Sequence, residues 1–299
     1  MPRRAVLALI AGIVALAALA GGPRATVAPL AQYVGSYVWS RDEAPFGGFS
    51  ALELAPDGLS FVALTDRGTL YAGRLDRNAA GAVTGVETDG PHPAAGARGA
   101  FGAGETDAVG LALAPDGRLY VSAEGRDRVG ALAGLDGPVT WLSRAGAFGR
   151  QIRNAGLEAL AVDAEGRLYT LPERADAAGS PFPVWRHDAG RWDRVFTLPR
   201  EGAFVPVGAD FGPDGKLYLL ERDFRGFLGF RTRVSRFAIG PDGPGPRELL
   251  LETWAPVHDN LEGIALWRDS DGVIRLTMIS DDNFFALQHT EFVDYRVGG

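Results

Sequence analysis

A turn recurs five times along the 299-residue chain, each time between two short apolar runs. Its copies are Pro56-Asp57-Gly58, Pro115-Asp116-Gly117, Ala164-Glu165-Gly166, Pro213-Asp214-Gly215 and Ser270-Asp271-Gly272. Proline presets φ, aspartate bonds to local backbone, and glycine takes a positive φ, so Asp-Gly between apolar runs marks a β-hairpin. The strand that follows is equally plain, as in Leu119-Tyr120-Val121, Leu168-Tyr169-Thr170-Leu171 and Leu217-Tyr218-Leu219-Leu220. Successive turn glycines lie 59, 49, 49 and 57 residues apart. About 40–50 residues hold four strands and their turns, the size of one propeller blade. Helical periodicity is scarce. The sequence therefore predicts an all-β fold, a β-propeller of five or six four-stranded blades in one domain over 33–299. The count stays open because the strand Tyr33-Val34-Gly35-Ser36-Tyr37-Val38 either begins a sixth blade or completes the last one by closing the ring.

Hydrophobic residues make up 46% of the chain and charged residues 22%, enough for a sizeable core. With 41 glycines and 19 prolines the chain turns often. Residues 76–107 and 172–182 are polar, Gly/Pro/Ala-rich stretches that read as long loops, and loops on a rigid scaffold often carry function. There is no cysteine, which excludes disulfides, thiolate metal sites and a Cys nucleophile. The net charge is −7 and no basic stripe is visible, which argues against a nucleic-acid partner.

The first residues read as a targeting segment. Arg3 and Arg4 precede an uncharged run from Ala5 to Ala20, and Ala18-Leu19-Ala20 offers a small-x-small cleavage site. The run is somewhat short for a spanning helix, which needs about 20 residues. The expectation is a signal peptide over 1–20, a short linker over 21–32, export to the periplasm or medium, and no stable membrane insertion after cleavage.

The repeat supplies a register, and the register aligns charges. An acid follows the second strand of each copy: Asp66, Glu124, Glu173, Glu221 and the pair Asp281-Asp282. Arg67, Arg126, Arg174 and Arg222 follow the first four. Two copies also carry a Glu at the start of the first strand, Glu158 and Glu262, where the first copy has Ser50. Equivalent strand ends of a propeller gather at one mouth of its channel. Crowded carboxylates repel unless protonated, paired or metal-bound, and Ca²⁺ with its preference for oxygen ligands would relieve them. Asp66, Glu158, Glu262, Asp281 and Asp282 are the candidate ligands. Arg67, Arg174 and Arg222 are the candidate holders of an anionic substrate group. Surface ion pairs that merely close strand ends are the plainer account of the same residues. Among the four histidines, His258 stands near Asn260 and Glu262 and is the candidate acid/base, with a turn-capping role as its alternative. No nucleophile elbow, P-loop, dinucleotide fingerprint or zincin motif is present. The six tryptophans read as packing between blades.

Several stretches resemble the phytase-like family, also described as the esterase-like activity of phytase. They are Phe46-Gly47-Gly48-Phe49-Ser50-Ala51-Leu52, Ala63-Leu64-Thr65-Asp66-Arg67-Gly68 and Asn154-Ala155-Gly156-Leu157-Glu158-Ala159-Leu160-Ala161. Asp259-Asn260-Leu261-Glu262-Gly263-Ile264 and Ile279-Ser280-Asp281-Asp282-Asn283-Phe284 complete the set. The resemblance implies an exported propeller that hydrolyses phosphate or other esters. A looser similarity is to calcium-dependent lactonase propellers. The leading expectation is a metal-assisted hydrolase of a small ester or phosphoester, with Glu158, Glu262 and His258 as catalytic groups and Ca²⁺ activating a water. The alternatives are a lactonase-like hydrolase and a non-catalytic binding or scaffold propeller that uses 76–107 as its partner surface.

Overall fold

The computed structural model describes residues 30–42, 46–96, 99–100, 108–124, 127–143, 156–175, 177 and 179–298. The leader expected over 1–20 and Arg126 lie outside them. Each repeat forms a four-stranded antiparallel blade. Blade 1 runs outward through Phe49–Leu54, Ser60–Thr65, Thr69–Arg77 and Val83–Thr88. Blade 2 comprises Ala108–Leu113, Leu119–Ala123, Arg128–Leu132 and Pro138–Trp141. Blade 3 comprises Ala159–Val162, Leu168–Leu171, Phe182–Asp188 and Arg191–Leu198. Blade 4 comprises Val205–Phe211, Leu217–Phe224, Phe230–Phe237 and Glu248–Glu252. Blade 5 runs through Asn260–Arg268, Ile274–Asp281 and Glu291–Val297, and its outermost strand is the early segment Ala31–Val38. That segment pairs antiparallel with Glu291–Val297, from Ala31 opposite Val297 to Val38 opposite Glu291. The open question of blade number is thus settled at five, with the ring closed by strands from both ends of the described chain.

The five turns have the expected chemistry. Each glycine has φ between 67° and 83°, and its N–H donates to the carbonyl three residues earlier, as from Gly58 to Ala55 at 2.8 Å. Asp57 Oδ1 accepts from Leu59 N at 2.8 Å and holds the loop. The stretch 76–107 is not one long loop. The alternating β-branched run from Val83 forms the outer strand of blade 1, and Ala95–Gly96 pairs in parallel with the edge of blade 2.

The core is divided among the blade interfaces. Five apolar clusters lie between successive blades, such as Trp39, Phe49, Phe61, Trp267 and Phe292 between blades 1 and 5. Trp39 stacks on Phe292 with ring centroids 5.5 Å apart. Each fully buried Leu or Phe of these wedges contributes about 1.5–3 kcal/mol. Trp39, Trp185, Trp192 and Trp267 are buried as expected, whereas Trp254 is 76% exposed. The innermost strands pack on one another around the ring and leave a void of about 10 Å³ between them, roughly the space of one water. The two mouths are therefore separate hollows.

Candidate functional site

Start of first strand and end of second strand are paired neighbours in each blade, as Phe49 with Thr65 and Asn260 with Asp281. Both positions therefore sit at the same mouth. Ser50, Glu158 and Glu262 line its neck. Ser50 Oγ donates to Ala108 O at 2.8 Å, tying blade 1 to blade 2.

Glu158 is the electrostatic centre. Burial, followed by the like charges of Glu262, Glu124 and Glu173, holds its carboxyl well above the usual carboxylate range, and Arg222 offsets only part of this. Arg222 bridges the same acids. Its guanidinium pairs with Glu262, donates to Asn260 Oδ1 at 2.8 Å and lies 3.6 Å from Glu173. Asn260 Nδ2 donates to Glu262 Oε1 at 2.7 Å, so Glu262 is fixed from two sides.

The other half of the mouth is the turn after the second strand of blade 5. Asp281 is buried and its carboxyl is pushed up to about 7, by burial first and then by Glu262. Asp282 Oδ1 accepts from Gly48 N at 2.9 Å and Phe284 N at 3.1 Å, which clips blade 5 to the entry of blade 1. Arg67 lies 3.8 Å over the ring of Phe284. Arg174 is exposed, directly after Glu173.

Two expectations change. Glu221 does not join the ring, because neighbouring residues of a strand face opposite ways. Arg222 occupies the mouth position instead, and Glu221 is fully buried on the other face, 2.9 Å from Arg247. His258 is packed within blade 5 and not among the mouth carboxylates. Its Nε2 is 2.6 Å from Tyr295 Oη, it lies beside Tyr33, and burial lowers it to about 4. Asn260, beside it in sequence, is the residue that reaches the site. Counting seven residues on from the turn glycine finds Glu124, Glu173 and Arg222 together, a register that counting by residue type obscures.

An excess of carboxylate oxygens in one mouth is a donor set suited to a hard divalent cation. Among the described residues, no three acidic or histidine side chains are already gathered closely enough to form an ion cage.

The chain overlaps solved structures at low identity. An aldose sugar dehydrogenase from Streptomyces coelicolor is 11% identical, with 88% of this chain and 98% of that one covered and a TM-score of 0.44. A luciferin-regenerating enzyme is 16% identical over 82% of this chain and 78% of that one, with a TM-score of 0.42. A virginiamycin B lyase from Staphylococcus aureus is 10% identical over 89% and 99%, with a TM-score of 0.44. The five-bladed assignment rests on the strand pairing itself. No curated protein matches the chain significantly. A family model does, over residues 44–284, and by that match the chain belongs to the phytase-like family, described as the esterase-like activity of phytase.

Proposed function

We propose that the protein is an exported ester hydrolase that works at the carboxylate mouth. The observation that carries this reading is Glu158, a carboxyl raised by burial and by three neighbouring acids, at the neck of the carboxylate mouth. A carboxyl raised in this way is a stronger base than an ordinary one and can take a proton from an attacking water and return it to the departing alcohol. Water adds at the acyl carbon, the acyl C–O bond breaks, and a carboxylic acid and an alcohol leave. Arg222 and Asn260 hold Glu262 in place for this step, while Arg67 and Arg174 stand where a polar substrate group would be oriented. Asp66, Glu262, Asp281 and Asp282 would hold Ca²⁺, leaving Glu158 as the base, and the ion when bound supplies charge compensation and polarises the ester oxygen. Acids outnumber arginines at this mouth, so an uncharged carboxylic ester meets less repulsion than a phosphate ester.

The test is turnover of phenyl and alkyl esters by the mature protein, with Ca²⁺ and after exhaustive chelation. Glu158→Gln is expected to lose on the order of 10²-fold in kcat and, because it removes a repelled buried carboxyl, to keep or raise the unfolding midpoint. Undiminished activity in that variant would remove Glu158 from the chemistry. The close Arg222–Glu262 pair favours a second reading, a non-catalytic binding propeller, which predicts ion-dependent stability and no turnover on any ester.

A further inference from the structure

Large apolar side chains are exposed together on the face that carries the mouth. Phe224, Phe227, Leu228, Val257, Phe285 and Leu287 are between 54% and 98% exposed. All six line one groove of about 940 Å³. Single exposed apolar residues are ordinary on a soluble protein, but a contiguous group marks a binding surface. One side is the short 3-10 turn Gly226–Leu228, reached from the second strand of blade 4 two residues beyond Arg222. The other side is the turn that follows Asp281, whose Asn283 N–H donates to Asp281 Oδ1 at 2.7 Å. Asp259 and Asn283 add polar groups to its lining, and in sequence they adjoin Asn260 and Asp282 of the mouth. Asp259 directly precedes Asn260, which bridges Arg222 and Glu262.

We propose that this groove holds the hydrocarbon part of an amphiphilic ester, with the ester head at the carboxylate mouth. The proposal rests on the ester-hydrolase reading. The groove has the size of a small-molecule pocket, about 300–1,000 Å³. Phe224 ends the strand that carries Arg222, and Asp259 and Asn283 adjoin mouth residues, so a tail laid in the groove directs its polar head toward the mouth. Its lining holds the acids Asp259 and Glu291, 3.5 and 3.8 Å from His289, and neither Lys nor Arg among the described residues. Attachment to an anionic membrane surface would call instead for flanking Lys or Arg.

The experiment compares p-nitrophenyl esters from acetate to dodecanoate in the wild type and in the Phe227→Ser/Leu287→Ser double variant. Both side chains are largely exposed, so the variant folds as the wild type does. In the wild type kcat/KM is expected to rise roughly twofold per added methylene, as partial burial of each CH₂ requires. In the variant the rise is expected to flatten while acetate hydrolysis stays unchanged. Calorimetric titration with n-alkanols from butanol to decanol reads the groove without turnover. Alkanol affinity that grows with length and falls in the variant, with no ester hydrolysed, supports the groove and overturns the ester reading. Ester hydrolysis indifferent to chain length, or alkanol binding unaltered by the substitutions, overturns the groove. Adsorption to neutral phosphatidylcholine vesicles that the variant loses, without any chain-length dependence, overturns it in favour of a lipid surface.

Discussion

Glu221 and Arg222 are neighbours in sequence with unrelated tasks. Arg222 faces three acids at the mouth, Glu158, Glu173 and Glu262, while Glu221 is sealed between blade 4 strands and Arg247. Arg247 also donates to Pro199 O at 2.6 Å, so Glu221 anchors a network away from the site. Replacing Glu221 by Ala removes the nearer carboxylate of Arg247, leaving Glu201 at 3.7 Å, and is expected to cost about 1–3 kcal/mol of stability, read by urea unfolding. Replacing Arg222 by Met removes the cation that restrains Glu158. Its carboxyl then rises further, and the acidic limb of the rate profile is expected to move to higher pH. An unmoved limb would show that Glu158 does not govern the rate. The pair also shows what sequence could disclose at this scale. Residue type placed Glu221 in the ring because it matched the other acids. The side-chain alternation of a strand decides otherwise, and the bulge that shifts register between Pro206 and Gly208 cannot be seen in a pattern of letters.

Strands and turns were far more legible than individual contacts. The acid-Gly turns, three of them Pro-Asp-Gly, act locally, through φ and hydrogen bonds within a few residues, so all five were readable from sequence and all five form. The outer strand Val83–Thr88 was hidden in a stretch rich in Gly, Pro and Ala, since its identity depends on pairing with Thr69–Arg77. The apolar groove was equally hidden, because Phe227 and Leu287 meet only when blades 4 and 5 are side by side. The spacing of the innermost strands depends on another long-range fit. A Cβ on Gly263 would meet Leu52 N at 2.7 Å and Ala51 C at 2.8 Å, backbone atoms of blade 1 that have no rotamer to change. Gly263→Ala is therefore expected to push blades 5 and 1 apart and cost about 1–3 kcal/mol. Glu262 lies next to this position, so its pairing with Arg222 should loosen as well. Thermal unfolding together with ester turnover checks both effects, and a variant as stable and active as wild type would refute the close fit.

At the scale of the whole ring, the molecule carries a second acidic hollow at the opposite mouth. Glu53 and Asp210 come from the far ends of innermost strands in blades 1 and 4, in a cavity of about 820 Å³. Burial, and then Asp210, holds the Glu53 carboxyl well above its usual range. Burial pushes Asp210 up to about 7, although its Oδ2 accepts from Leu266 N at 2.7 Å. In the unfolded chain both groups would titrate near 4. The folded state thus holds protons more tightly than the unfolded one, and the stability this confers is complete below about pH 4 and is lost as pH climbs through 7. Glu158 and Asp281 at the other mouth slope the same way, whereas His258, lowered to about 4, slopes the opposite way below pH 6.5, so the carboxyls favour pH 5 over pH 8 against an opposing histidine contribution. A Glu53→Gln/Asp210→Asn double variant keeps polar groups of similar shape and removes the repulsion. It is expected to regain part of that loss at pH 8 and to change little at pH 5. Urea unfolding at the two pH values decides the matter: an identical pH dependence in variant and wild type would mean that the Glu53–Asp210 pair exerts no strain on the ring.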